Sequence, residues 1–172
     1  LPDPGALYVV LAAGAANLLE GDPLWLLLVG PAGGGKTELL AALNGLPDVH
    51  PTATLTEAAL LSGSPKREHA PDATGGLLRR VGAFGIAIHK DFGSVLSMHR
   101  DSRAVVLAAL REIFDGAWTR HVGTDGGRTL SWSGKLGLIA GCTPAVDQHH
   151  GVLAALGERF IWYRLAVQDP AE

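Results

Sequence analysis

The residues best suited to chemistry form the run Gly30-Pro31-Ala32-Gly33-Gly34-Gly35-Lys36-Thr37, which matches G-x-x-x-x-G-K-[ST]. Glycines in such a run let the backbone turn so that several N–H groups point inward as an anion cradle. In that geometry Lys36 reaches the β- and γ-phosphates and the Thr37 hydroxyl reaches a magnesium ion. The expected ligands are therefore ATP and Mg2+. A metal site of this kind calls for an acid as well, and Asp91, just after the apolar run Phe84–Ile88, is the best candidate. Lys90 stands beside it. Asp91 is read either as the first of two acids, with Phe92 in place of the second, or as the second, with Lys90 in place of the first. The residue types alone leave both open.

Other polar residues are weaker candidates. His149 and His150 are adjacent and so point to different faces of a helix. His89 and Cys142 sit in apolar runs and read as packed core groups. Arg120, His121 and Arg128, with Trp118 or Trp132, could form a basic hairpin tip for stacking bases. Packing of both tryptophans on the core is the favoured reading, because Asp125 lies in the turn.

The elements that must position these residues follow from pattern. The spacing predicts a helix over Ala6–Glu20, stopped by Gly21-Asp22-Pro23. Leu24–Val29 reads as a strand buried on both faces. After the glycine-rich loop, Lys36–Asn44 reads as a helix with Gly45 at its end. Asp48–Leu55 is a second strand, Ser62–Gly76 a loop, and Phe84–Ile88 a further strand. Asp101 or Ser102 is expected to cap a helix running to Asp115, closed by Gly116. Trp118–Val122 and Arg128–Trp132 flank Gly123–Gly127 as a hairpin. Leu136–Cys142 is a strand, Ala145–Leu156 a helix closed by Gly157, and Phe160–Val167 the last strand. Strands alternating with helices imply an α/β fold with a parallel sheet and ligands at the carboxyl ends of its strands.

Composition sets the outer bounds. The 172 residues suit one core, with an N-terminal helix over 1–21 and the nucleotide-binding core over 22–172. Hydrophobic residues make up 47% of the chain, which argues against disorder. The net charge of −3 gives no global reason to expect nucleic acid. A single cysteine excludes an internal disulfide and suits a reducing cytoplasm. Neither apolar stretch, Ala6–Leu19 nor Leu24–Val29, reaches the ~18 residues of a membrane span, so no membrane is expected. The chain starts at Leu1 and reads as a piece of a longer protein.

With these motifs in order, the chain resembles the AAA+ ATPases. Gly30–Thr37 is similar to their Walker A loop. Ile86–Asp91 looks like a Walker B strand, with the departure at Lys90. Leu136–Thr143 looks like the next core strand, ending in a polar sensor at Thr143. Gly157-Glu158-Arg159-Phe160 looks like the segment carrying an arginine finger. The resemblance covers roughly residues 22–167. It implies a P-loop ATPase working as a homo-oligomer, with Thr143 near the attacking water and Arg159 entering a neighbour's site. The hairpin stands where some AAA+ helicases and transcription activators carry an insertion, which makes DNA a candidate partner and phages or mobile elements a candidate home. The chain ends soon after its last strand, so the small helical lid is expected to be missing. Thr143 also reads as a helix N-cap before Pro144, and Arg159 as an ion pair with a nearby acid such as Glu158. A non-hydrolysing nucleotide switch or scaffold, and a small-molecule kinase, are the alternatives to an ATP hydrolase.

Overall fold

The computed structural model describes residues 4–63, 75–123 and 127–166. Five strands form one parallel sheet: β1 (Trp25–Val29), β2 (Val49–Thr52), β3 (Phe84–His89), β6 (Lys135–Cys142) and β7 (Phe160–Arg164), in the order β2-β3-β6-β1-β7. Between β3 and β6 in the chain, β4 (Ala117–Val122) and β5 (Arg128–Ser133) pair antiparallel as the inserted hairpin. Its turn residues 124–126 lie outside the described residues, as do most of the Ser62–Gly76 loop and the last predicted strand residue, Val167.

β1 is buried at all five positions, so its side chains feed both faces of the sheet. Leu26 and Leu28 join a core with α1 (Pro4–Asn17) and α2 (Lys36–Ala41). Trp25, Leu27 and Val29 join the larger core with α6 (Arg100–Phe114), the hairpin and the segment after β6. Trp25 anchors that core: its indole N–H donates to Leu136 O at 2.8 Å, and its ring meets Phe114 edge-on at 5.1 Å. Short helices α3 (Glu57–Leu60), α4 (Leu77–Val81) and α5 (Gly93–Leu96) fill the same side.

Three local readings are corrected. α6 starts earlier than expected, with His99 and not Asp101 or Ser102 at the cap position; its ring nitrogen accepts from the Asp101 amide at 3.5 Å. The predicted helix Ala145–Leu156 is a 3-10 turn over Pro144–His149, one α turn, α7 (His150–Leu153), and a second 3-10 turn over Ala154–Leu156. The helix after the glycine-rich loop is shorter than read: α2 ends at Ala41 and continues as turns to Gly45, whose φ is +83°.

The hairpin packs inward. Trp118 and Trp132 are buried, and the Trp132 indole donates to Gly82 O at 2.7 Å. Arg120 donates to Leu61 O at 2.6 Å. Neither tryptophan is open to a stacking base, in line with the core-packing reading. Among the described residues no helix is long and apolar enough to cross a membrane.

Candidate nucleotide site

The glycine-rich loop leaves the carboxyl end of β1 and turns straight into α2. Gly33 and Gly35 hold φ of +73° and +76°, a conformation that side-chain-bearing residues resist, so the loop depends on glycine there. The Gly34 amide closes a tight turn onto Pro31 O at 3.1 Å. Pro31 and Ala32 are exposed at its outer rim. Gly30 roots the loop: its amide donates to Cys142 O at 3.1 Å, and an added Cβ would lie 2.6 Å from Leu165. The Lys36 ammonium donates to the carbonyls of Gly30 (2.8 Å) and Pro31 (2.7 Å). Thr37, one residue on, is exposed.

Strand order brings the other candidates to this loop. β6 lies between β1 and β3, so Thr143 and Asp91 leave adjacent strands at the same edge of the sheet. The Phe92 amide donates to Gly141 O at 2.7 Å and pins the segment after β3 to β6. The Asp91 carboxylate accepts from the Gly93 amide at 3.0 Å. A Cβ on Gly93 would lie 2.9 Å from that carboxylate oxygen and 3.9 Å from the Cys142 sulfur, so the carboxylate sits on the Cys142 side of the sheet. Within β3 the alternation is clear: Ala87 lies in the same core as Cys142, while Ile86 and Ile88 lie in the core with α1 and α2. Lys90 is exposed.

Thr143 occupies the N-cap position before Pro144, but its side chain makes no capping hydrogen bond; the turn closes through Val146 N–H to Thr143 O at 3.1 Å. The Cys142 thiol is buried, and burial together with the Asp91 charge pushes its pKa up, while the Thr143 backbone and Lys36 pull it down. Asp147 also raises it, so Asp91, Lys36 and Asp147 all act on one buried atom. His89 is buried at 1% exposure with Nδ1 3.2 Å from Thr52 O and, among the described residues, no hydrogen-bond partner at Nε2. Burial lowers its pKa, against smaller opposing effects from the Thr52 and Asp91 backbone and the Asp91 charge, which favours the neutral ring.

Arg159 stands apart from these groups. It precedes β7 and lies at the amino end of the sheet, where its guanidinium meets the Asp115 carboxylate (3.1 and 3.2 Å), Leu156 O (2.6 Å) and the Phe114 ring (5.2 Å). Its acid partner is Asp115, not Glu158.

Two features carried no sequence signal. Arg164 at the end of β7 grips Asp147 through two hydrogen bonds of 2.6 and 3.1 Å; the pair is 17 residues apart and belongs to no motif. Asn17 bridges the end of α1 to Leu24, and only the absence of a side chain at Gly137 leaves room for it.

No family model matches the chain, and no curated protein matches it in sequence. Among solved structures, the chain is similar to NtrX from Brucella abortus in complex with ADP, with a TM-score of 0.54 and 15% identity over 92% of this chain and 35% of that one. The chain thus spans about a third of the length of that protein. At this identity the likeness concerns the fold, and with the five-stranded parallel sheet it makes the chain a P-loop NTPase-like α/β domain.

Proposed function

We propose that this chain binds ATP with magnesium at Gly30–Thr37 and hydrolyses it as an AAA+-type ATPase. The observation that carries the reading is the placement of β6 between β1 and β3, which gathers the P-loop, Thr143 and Asp91 at one edge. The presence of ADP in the NtrX structure supports the same ligand class here.

The donor set fits a small hard cation. A threonine hydroxyl and a carboxylate offer oxygen ligands, and Mg2+ takes few protein ligands beside substrate phosphates. Magnesium, when bound, neutralises charge between the β- and γ-phosphates. Thr37 is the proposed protein ligand, with Asp91 holding the ion through water or orienting the attacking water. Lys36 must exchange the Gly30 and Pro31 carbonyls for phosphate oxygens. Thr143, with a hydroxyl not used for capping, is the proposed contact to the attacking water or γ-phosphate. Arg159 is the proposed arginine for a neighbouring copy, a role that requires an oligomer and release from Asp115. DNA and a cytoplasmic setting remain part of this proposal on the resemblance and the lone cysteine.

The deciding experiment measures ATP binding and turnover against protein concentration, with and without single- and double-stranded DNA, for the wild type and Lys36→Ala. Turnover that rises with concentration and vanishes in the variant is expected. Unchanged turnover in Lys36→Ala overturns the reading. Lys90 beside Asp91 favours a second reading, a nucleotide-binding switch without hydrolysis, for which tight binding without turnover under every condition is the signature.

A further inference from the structure

The root of the P-loop is enclosed by a closed circuit of contacts. Gly30 N–H reaches Cys142 O at 3.1 Å, and Leu165 N–H reaches Val29 O at 2.8 Å. Val146 N–H reaches Thr143 O at 3.1 Å. The last link is Arg164 with Asp147, at 2.6 and 3.1 Å. Peptide bonds join the rest: Val29 to Gly30, Cys142 to Thr143, Val146 to Asp147, Arg164 to Leu165. Three of the four cross-links are backbone hydrogen bonds, which nearly any side chain tolerates. The fourth depends on residue identity.

That fourth link spans the sheet in a particular way. Arg164 ends β7, Asp147 follows β6, and β1 runs between those two strands. Arg164 is in register with Val29, the residue before Gly30. The ion pair therefore bridges across the end of β1 where the P-loop departs. Arg164 is itself steadied by its guanidinium lying 5.6 Å from the centre of the Trp162 ring. On the other side, Asp147 anchors the turn that holds Thr143.

We propose that Arg164 is a positioning residue: through Asp147 it fixes the turn after β6 so that Thr143 is held at the γ-phosphate end of the P-loop. The proposal rests on the nucleotide reading above. It predicts a selective effect. Loosening the turn displaces Thr143, which would meet only the third phosphate, while the Gly30–Thr37 cradle, which ADP also needs, stays tied by backbone bonds. His150, 3.9 Å from Asp147, is too far to replace the two short bonds.

The test compares Arg164→Gln, Asp147→Asn and the charge-swapped Arg164→Asp/Asp147→Arg double variant with wild type. Two quantities are read: affinity for ADP and for a non-hydrolysable ATP analogue with Mg2+, and hydrogen exchange at the Val146 amide without nucleotide. Each single variant should weaken the ATP analogue about fivefold relative to ADP, a size suited to an exposed two-bond pair. Exchange at Val146 should speed up in both, and the swap should restore at least part of each effect. Equal weakening of ADP and the ATP analogue, or unchanged exchange at Val146, overturns the proposal. Wild-type protein that binds neither nucleotide overturns the nucleotide reading and the Thr143 role with it, whereas the exchange result still reports whether the pair anchors the turn.

Discussion

The Lys36 ammonium donates to the Gly30 carbonyl at 2.8 Å, so the cation of the P-loop is folded back on the residue that begins the loop. Its second acceptor, Pro31 O, lies on an exposed rim where water can take its place. Lys36→Ala should therefore leave thermal unfolding nearly unchanged, yet lower ATP affinity by about a hundredfold through loss of a charge-assisted phosphate contact. Calorimetric titration beside a melting curve checks both halves. A variant that unfolds and loses binding together would show that the lysine mainly holds the loop.

Asp91 should separate binding from chemistry. If it orients the attacking water from the Cys142 side, Asp91→Asn should cut turnover by about a hundredfold or more while ATP affinity shifts little. A matching loss in affinity and turnover would instead make it a ligand of the metal.

Arg159 and Asp115 offer a cleaner separation, because both variants break the same ion pair. Arg159→Ala also loses the Leu156 bond and the Phe114 ring contact, and should cost about 1–2 kcal/mol in a urea titration. Asp115→Ala frees the arginine without removing it. Under the arginine-finger proposal Asp115→Ala keeps turnover and Arg159→Ala loses it. Equal turnover in the two would leave Arg159 as an internal clamp.

Asn17 is a buried amide that donates to Ala13 O and Leu24 O and accepts from Leu24 N–H. Asn17→Ala leaves the Leu24 groups short of partners at the start of β1, at a cost of about 1–3 kcal/mol. Gly137→Ala attacks the same spot, since its Cβ would fall 2.5 Å from the Asn17 side chain. Chemical denaturation should show both losses, and the double variant Asn17→Ala/Gly137→Ala should lose less than their sum.

The hydrogen bonds from Arg164 hold the Asp147 carboxyl below its ordinary value of 3.8. A folded-state pKa below the unfolded one means the stabilisation is complete above 3.8 and fades as pH falls through the folded value. The Val146 exchange ratio between Arg164→Gln and wild type should thus be the same at pH 6 and pH 8 and shrink only in strong acid. A ratio that changes between pH 6 and 8 would show that the Arg164–Asp147 pair is not what holds the turn.

Much of this was legible in the chain itself because it is written locally. The glycines, Lys36 and Thr37 are contiguous, and a loop between a buried strand and a helix needs nothing distant to form. The apolar runs Leu24–Val29, Phe84–Ile88 and Leu136–Cys142 announce buried strands, and Gly123–Gly127 announces the hairpin. The tendency of Trp118 and Trp132 to pack inward was also readable. The cap of α6 was not, because His99 competes with two better capping types a residue or two away. Nor was the broken helix after Thr143, where 3-10 and α turns differ by one hydrogen-bond step.

The sequence by itself determined the glycine-rich loop between a strand and a helix, the alternation of strands and helices, and the candidates Asp91, Thr143 and Arg159. Tertiary structure alone decided that β6 enters between β1 and β3, and so which of those residues meet. Sheet order is set by long-range burial on both faces, which no local pattern records. The same packing turned Asp91 toward Cys142, seated Arg159 on Asp115 at the far end of the sheet, and brought Arg164 to Asp147 across the end of β1. These are contacts between segments distant in the chain, fixed by how the layers close.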